Sequence, residues 1–259
     1  MTVNVALPAG YRLIAYDHAT STNQIALDRI SAGEAVDGDV VWALQQSAGR
    51  GRQGREWQSL PGNLFTTFII RHAGRLENAA ELSFVATLAV QRAIKSLIAH
   101  PEAPAVAGKW PNDVLIGGKK AAGILLEVAG TPGDAGYYIA VGIGINLLHA
   151  PENTRYPATS LSAALGQIVE PGEMLTNLAR HLNAAMQTWR EEGFGRIRQD
   201  WLANAHGVGE PISVTAGERS LDGRFAGIDA NGALLLETVN GSLAINAGDV
   251  HFPAMSKST

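Results

Sequence analysis

Gly49-Arg50-Gly51-Arg52-Gln53-Gly54-Arg55-Glu56-Trp57 is the stretch that decides how the chain can fold. It follows closely on Asp39 to Gln46, where Val40, Trp42 and Leu44 alternate with Val41 and Ala43, the pattern of a buried strand. A strand followed by G-x-G-x-x-G opens a dinucleotide-binding unit only if a helix starts at the glycines. Here Gln58-Ser59-Leu60-Pro61-Gly62 comes next, and no long helix can run through it. A P-loop fails as well. Gly49 and Gly54 have its spacing, but Arg55-Glu56 stands where Lys-Ser/Thr is required. What remains is a loop of three glycines and three arginines. Its amides can approach an anion, and its guanidiniums can grip carboxylate or phosphate oxygens in forks. A solvated basic turn or an RNA-contacting arginine–glycine segment would have the same composition. Ordering such a loop costs about 1–2 kcal/mol of backbone entropy per residue, and its like charges repel. The loop is therefore expected to be mobile until an anion binds.

The flanking sequence builds a mixed fold around this loop. Thr20-Ser21-Thr22-Asn23 offers N-caps for a short helix carrying Ile25, Ala26, Leu27 and Ile30, with Gly33 as its stop. Asn63 to Ile70 reads as a strand by its β-branched and aromatic content. Glu77 to Ala99 predicts the longest helix, with Leu82, Val85, Leu88, Ala89, Ile94, Leu97 and Ile98 on one broad face. Ala105 to Trp110, Val114 to Ile116 and Gly123 to Val128 read as strands, with Gly117-Gly118 as a hairpin turn between the last two. Tyr137 to Leu147 is another strand. Helices follow at Met174 to Trp189 and Phe194 to Ala203, parted near Gly193. After about His206 the pattern changes to short strands at Pro211–Thr215, Arg219–Ile228, Ala233–Thr238 and Ser242–Ile245, with turns expected at Asp222-Gly223 and Asn231-Gly232. The expected class is α+β, a mixed β-sheet with packed helices over residues 1–205. A small β-barrel domain over 206–259 completes it.

Composition limits the function. With 259 residues, 46% of them hydrophobic, the chain can bury a sizeable core in one large or two unequal domains. The 24 acidic residues outnumber the 20 basic ones, for a net charge of -4, which argues against a broad nucleic-acid surface. There are no cysteines, so disulfides, thiolate metal sites and cysteine nucleophiles are excluded, and a reducing compartment fits. The start, MTVNVALPAGYR, lacks a basic segment leading into a long apolar one. The least charged stretch, Ala135 to Pro151, is too interrupted to span a membrane, which takes about 20 apolar residues. A cytoplasmic protein is expected. The seven histidines show no paired metal spacing, and there is no G-x-S-x-G nucleophile elbow.

Two further segments can carry chemistry. Lys109-Trp110-Pro111-Asn112-Asp113 and Lys119-Lys120-Ala121-Ala122-Gly123-Ile124-Leu125-Leu126-Glu127 read as strand, tight turn, strand. Lysines beside a pocket can draw charge from a transferring phosphoryl group, although paired lysines at a hairpin end are more often plain surface. Val141-Gly142-Ile143-Gly144-Ile145-Asn146 places glycines inside a strand, which marks close approach of a ligand, a backbone or a packed helix.

In this order, Ser21-Thr22-Asn23, Gly49 to Trp57, Lys109 to Asp113, Lys120 to Glu127 and Gly142 to Asn146 resemble the motif set of the biotin protein ligases. That set is S-T-N, G-R-G-R-x-G-R-x-W, K-W-P-N-D, K-x-A-G-I-L-x-E and G-x-G-I-N. The resemblance covers about half of the catalytic domain in order and spacing. It implies the biotin/lipoate ligase fold with an SH3-like C-terminal barrel, and the short class that lacks an N-terminal helix-turn-helix domain. It also implies a two-step reaction. Biotin carboxylate attacks the α-phosphorus of ATP to give biotinyl-5'-AMP and pyrophosphate, and a carrier lysine then takes the biotinyl group and releases AMP. ATP, Mg²⁺ and biotin are the implied small molecules, and the biotin carrier domain of acetyl-CoA carboxylase is the implied partner. No nucleic-acid or membrane partner is implied.

Carried over by position, the resemblance makes Ser21, Thr22, Asn23 and Gln46 biotin contacts, the hydroxyls reaching the ureido group. Arg50, Gly51 and Arg52 belong to the loop that closes over biotin and the phosphate. Lys120 contacts the carboxylate and α-phosphate oxygens, with Lys119 as the register alternative. Trp57 stacks on adenine and Asn146 bonds its edge. Lys120, Arg52 and Asp113 are the catalytic set, Asp113 orienting the acceptor amine or a metal-bound water; metal ligands are not indicated. Two other readings stay open: a lipoate or octanoate ligase of the same fold, and an RNA-binding module using Arg50, Arg52 and Arg55.

Overall fold

The computed structural model describes residues 5–98, 102–130, 136–152, 154 and 156–252. Strands β1 (Arg12–Ala19), β2 (Asp39–Gln46), β3 (Leu64–His72), β4 (Val106–Lys109), β5 (Asp113–Ile116), β6 (Lys119–Gly130) and β7 (Tyr137–Ile145) make one sheet in the order β1-β2-β3-β7-β6-β5-β4. Only β1 and β2 run parallel, joined through helix α1 (Thr22–Ser31); the other neighbours are antiparallel. The sheet is thus mixed, in keeping with the fold that the resemblance implies. Strand β1 is not legible in the sequence. It is an edge strand whose apolar residues are only half buried, so no clean alternation marks it.

Period-two alternation assigns the two faces of the sheet. Val40, Trp42, Phe68, Ile70, Val141 and Ile143 turn to one side and join the core formed with α2 (Glu81–Lys95), α4 (Pro171–Glu192) and α5 (Phe194–Ala203). Val41, Ile69 and Ala140 turn to the other side and meet Ala26 and Ile30 of α1. Being only ten residues long, α1 covers only part of that face. The long helix expected from Glu77 divides. Leu76–Ala80 is 3₁₀, α2 proper begins at Glu81 and ends at Lys95, and the expected end at Ala99 lies outside the described residues. A short helix, α3 (Leu161–Leu165), has no counterpart in the sequence reading. Five residues are too few for a period, and Ser160 and Gly166 cap it.

The C-terminal part forms a second, antiparallel sheet of β8 (Pro211–Ala216), β9 (Arg219–Ile228), β10 (Leu234–Thr238), β11 (Gly241–Ile245) and β12 (Asp249–His251), in the order β11-β10-β9-β8-β12. Asn231-Gly232 is a turn as expected: Gly232 has φ 84° and Asp229 Oδ1 accepts from Asn231 N and Ala233 N, both at 2.8 Å. Asp222-Gly223 is not a turn. Both residues pair with β8 inside β9, and the chain reverses at Gly217-Glu218. Beyond this point β9 leaves β8 and pairs with β10, and a Cβ on Gly223 would overlap the carbonyl oxygen of Glu237. The glycine serves close strand approach rather than reversal.

The two sheets are tied together. Gly108 N donates to Asn204 O (2.9 Å) and His206 N to Gly108 O (2.8 Å). Trp110 Nε1 donates to Gly232 O (3.0 Å) and Arg198 Nε to Ile228 O (2.7 Å). His206 packs against Phe252, with ring centroids 4.6 Å apart. Desolvation first, and then Lys109, push its pKa below the ordinary value, with Glu210 opposing. His181 on α4 is lowered in the same way, by desolvation and then by Arg180 and Arg92. A depressed folded-state pKa favours the neutral ring, so stability is full above the unfolded pKa of about 6.5 and declines as pH falls through it. The melting temperature should accordingly drop between pH 7.5 and 5.5. His206→Gln should reduce that slope and His181→Gln should reduce it further. Parallel melting-temperature profiles for all three proteins would rule out this origin.

Candidate active site

The face of the main sheet that α1 leaves open holds a pocket of about 150 Å³, adjoined by a second of about 340 Å³; Arg55, Trp57, Lys120, Tyr156 and Asp249 line both. The floor is the glycine side of β6 and β7. Alternation points Gly142 and Gly144 the same way as Ala140, toward α1 and the loop. A Cβ on Gly142 would overlap Asn23 Oδ1, and one on Gly144 would lie 2.5 Å from the Trp57 ring, which Gly123 also approaches. The glycines therefore make room for two pocket side chains.

One wall is the start of α1. Ser21, Thr22 and Asn23 are all buried. Ser21 holds the N-cap position, but its hydroxyl does not cap the helix. Gln46 Oε1, at the end of β2, takes the hydrogen bond from Thr22 N instead (2.8 Å), which leaves Ser21 to line the pocket. Thr67 Oγ1 donates to Asn23 Oδ1 (2.6 Å) and lies 2.9 Å from Thr22 Oγ1. Asn23 Nδ2 donates to Glu127 Oε2 (2.8 Å), and the same oxygen accepts from Arg50 Nη2 (2.9 Å). A continuous hydrogen-bonded chain thus runs from Gln46 to the arginine loop.

The loop is folded as a tight hairpin. Gly51 N donates to Arg55 O (2.7 Å), Trp57 N donates to Gly49 O (2.9 Å), and Gln53 turns through φ 56°. The contacts that hold this geometry are tertiary. Each guanidinium has a partner remote in sequence: Arg50 has Glu127, Arg52 Nη1 donates to Asn112 Oδ1 (2.9 Å), and Arg55 Nη2 pairs with Asp249 Oδ2 (2.5 Å). The three are not equivalent. Arg55's pKa is raised, chiefly by its hydrogen bond to Asp249. Arg52's is lowered, chiefly by desolvation, and among the described residues it makes no ion pair, only the contact with a neutral amide. It remains a cation, because guanidinium does not lose its proton in proteins. Asp249 and Asp113 act on it from beyond contact distance and oppose the shift without cancelling it, and a cation so desolvated, bonded only to a neutral amide, is a site for an anion.

Lys120, not Lys119, enters the pocket. Its Nζ is 2.7 Å from Asp113 Oδ1 and 5.5 Å from the Trp57 ring centroid, while Lys119 is exposed at the hairpin end. The β5–β6 register shifts at this point: Leu115 faces Lys120 and Val114 faces Ala122, with Ala121 bulged between. Strict alternation would have put Lys119 on the face of Gly123, and the bulge substitutes Lys120. Asn146 is buried beside the second pocket, its Nδ2 donating to Thr159 O (3.1 Å).

The structure thus brings together Ser21, Thr22, Asn23, Gln46, Arg50, Gly51, Arg52, Trp57, Asp113 and Lys120 around the first pocket and Asn146 at the second. It adds residues to which the sequence reading gave no role. Glu127 ends a quoted motif, and its spacing was the available signal. Lys109, buried with Nζ 4.1 Å above the Tyr156 ring, belongs to another. Thr67, Tyr156 and Asp249 stand in no motif and are recruited by the fold. Of the carboxylates that line the two pockets, Asp113 and Asp249 are each paired with a cation and Glu56 stands apart from them, Glu127 beside the loop is paired with Arg50, and the described residues contain no cluster of three His, Asp or Glu that could hold a metal. These residues do not fit a resident Mg²⁺.

One end of the first pocket presents hydroxyls and amides, the other presents Arg52 and Lys120, and Phe65 and Leu125, paired with Gly144 and Gly142, line it between. Such a site suits a ligand with a neutral polar head, an apolar body and an anionic tail. Among solved structures, the fold is similar to that of an Aquifex aeolicus biotin protein ligase in complex with biotin and ATP. That structure superposes with TM-score 0.78 at 28% identity, over 93% of this chain and 97% of that one. Residues 16–146 match the biotin/lipoate A/B protein ligase family, and residues 207–252 match the biotin protein ligase C terminal domain. A Paracoccus denitrificans biotin–[acetyl-CoA-carboxylase] ligase is 43% identical over 221 residues, 82% of this chain and 89% of its own length. A Mycobacterium tuberculosis protein of the same name is 35% identical over 234 residues, 89% of this chain and 85% of its own. The chain belongs to the biotin/lipoate A/B protein ligase family.

The glycine floor can be tested without a ligand. Gly142→Ala should destabilise the fold by about 1–3 kcal/mol, the usual cost of overpacking. Asn23→Ala in the same chain should recover part of that loss, because the obstructing amide is gone. Additive losses in the double variant, read from denaturant midpoints, would show that the two residues do not meet.

Proposed function

We propose that the chain activates biotin with MgATP and transfers the biotinyl group to a lysine of a biotin carrier domain, that of acetyl-CoA carboxylase. The observation that carries this reading is the order of groups in one pocket: Arg52, bonded to the neutral amide of Asn112, and Lys120 at one end, and Ser21, Thr22, Asn23 and Gln46 at the other. Biotin has a neutral ureido head and a carboxylate tail, and the pocket has the matching order of groups.

In step one, a carboxylate oxygen of biotin attacks the α-phosphorus of ATP and pyrophosphate leaves. Two anions have to meet, and in this reading Arg50, Arg52 and Lys120 offset their repulsion. Asp113, 2.7 Å from Lys120, holds the ammonium in place. Mg²⁺ comes with the nucleotide as part of the substrate. Trp57 offers its ring to adenine. Asn146, tethered by its amide nitrogen, offers Oδ1 to the exocyclic amine. In step two, the carrier amine attacks the biotinyl carbonyl, loses a proton and releases AMP, with Asp113 next to the reacting centre. Gly51 lets the loop backbone come close to the anhydride and cover it, which excludes water. The same reading divides the chain into a catalytic domain, 1–205, and a C-terminal β-domain, 206–259, and places it in the cytoplasm with its carrier. Among the described residues no helix is long and apolar enough to cross a membrane. A lipoate or octanoate ligase is the alternative within the family; the match of residues 207–252 to a biotin protein ligase domain favours biotin.

Biotin-dependent exchange of labelled pyrophosphate into ATP tests the proposal, with lipoate and octanoate as competing substrates. Exchange with either of those but not with biotin would transfer the site to the alternative. Lys120→Ala should lower exchange about 10²–10³-fold, the usual effect of deleting one preorganised charge, whereas Lys119→Ala should leave it near normal. Trp57→Ala should weaken ATP by about 1–3 kcal/mol and biotin less, by analogy with base–aromatic stacks. Equal weakening of both ligands would reassign Trp57 to support of the loop.

A further inference from the structure

The last strand of the C-terminal sheet reaches the site. On β12, Val250 turns inward and is buried, so Asp249 and His251, two residues apart, share the opposite face. Both touch loop residues that line the pocket, Arg55 and Tyr156. Asp249 Oδ2 lies 2.5 Å from Arg55 Nη2 in the loop. The His251 ring meets Tyr156 Oη at 2.8 Å, and Tyr156 in turn lies under the Lys109 ammonium. Thr215 Oγ1 holds the other side of the imidazole at 3.1 Å. Arg55 is also held by Gln53 Oε1 (2.6 Å), which fixes the guanidinium to the tip of its own hairpin. A pull on Arg55 therefore bears on the whole turn from Arg52 to Arg55.

From this geometry we infer that Asp249 is a positioning residue. Through Arg55 it clasps the Gly49–Trp57 loop onto the C-terminal sheet and keeps it closed over the activated acyl group between the two steps. The inference rests on the function proposed above and adds a task for the C-terminal sheet within it. Of the loop's three arginines, Arg50 is tied to the biotin-side chain through Glu127, and Arg52 is left to face an anion. Arg55 makes the contact ion pair with the other sheet, and Asp249 acts on Arg52 from farther off. Opening the loop must break that ion pair. The pair is partly exposed, so its bias is several-fold rather than many orders of magnitude, and salt weakens it.

The test compares the full-length wild type with Asp249→Asn, which keeps the shape and removes the charge, and with Arg55→Gln, which removes the other partner. Trypsin cleavage after Arg50 or Arg52, read by mass, should be several-fold faster in both variants. With biotin and MgATP but no carrier, AMP should be released several-fold faster, while KM for biotin changes little. The exchanged pair, Arg55→Asp with Asp249→Arg, should return both rates toward wild type at unchanged melting temperature, which a role in mere folding would not produce. Raising NaCl should accelerate cleavage of the wild type and not of Asp249→Asn. Wild-type cleavage and AMP release in Asp249→Asn would overturn the clasp, as would an exchanged pair that behaves like the single variants. Should the wild type make no AMP from biotin, the proposed function falls, and the trypsin comparison still decides the clasp by itself.

Discussion

A guanidinium withdrawn from water has to be met by hydrogen bonds or by opposite charge, and the loop from Gly49 to Trp57 carries three of them within six residues. The rest of the site is arranged around how each is met. Glu127 in the middle of the main sheet takes Arg50, Asn112 in the turn before β5 takes Arg52, and Asp249 at the end of the C-terminal sheet takes Arg55. The three anchors come from distant parts of the chain, so the loop closes only when both sheets are in place. The partner of Arg52 is a neutral amide, which leaves one desolvated positive charge facing the pocket. Loop order and anion affinity thus come from the same three contacts.

Space is the second requirement. A side-chain slot on a sheet face has to be hollowed out of a surface that alternation would otherwise fill. Gly142 and Gly144 do this on β7 at the points where Asn23 and the Trp57 ring come down, while Val141 and Ile143 between them keep the opposite face packed in the core. One strand thus serves core and pocket at once. The polar chain from Gln46 through Thr22, Thr67 and Asn23 to Glu127 links the neutral end of the pocket to the loop, so the two ends are held as one unit.

Much of this was legible in the residues alone. The helix at the S-T-N segment, strand β2, the glycine-bearing strand, both late helices and most of the C-terminal strands follow from the sequence pattern, because each carries either an apolar face or, in β2 and the glycine-bearing strand, a run buried on both faces. The motif residues gather at one pocket because the strands and loops that carry them are neighbours on the open face of the sheet. Elements without a period were missed: β1 at the edge, five-residue α3 and three-residue β12. Asp222-Gly223 was misread because a glycine required for close strand approach has the same local signature as a glycine required for reversal.

The sequence by itself determined the types of group in the site, their order along the chain, and the absence of a helix after the arginine loop. Those features depend on side-chain chemistry and on local backbone preference. Only the tertiary structure decided which of two adjacent lysines enters the pocket. A single bulge at Ala121 reverses the facing of everything before it, and a bulge is set by the register of β5 against β6, not by the composition of either. The tertiary structure alone also decided that the loop is folded, because Glu127 and Asp249 lie 77 and 194 residues from the arginines they meet. Pairing across such separations depends on where the two sheets come to rest, and no local pattern encodes that.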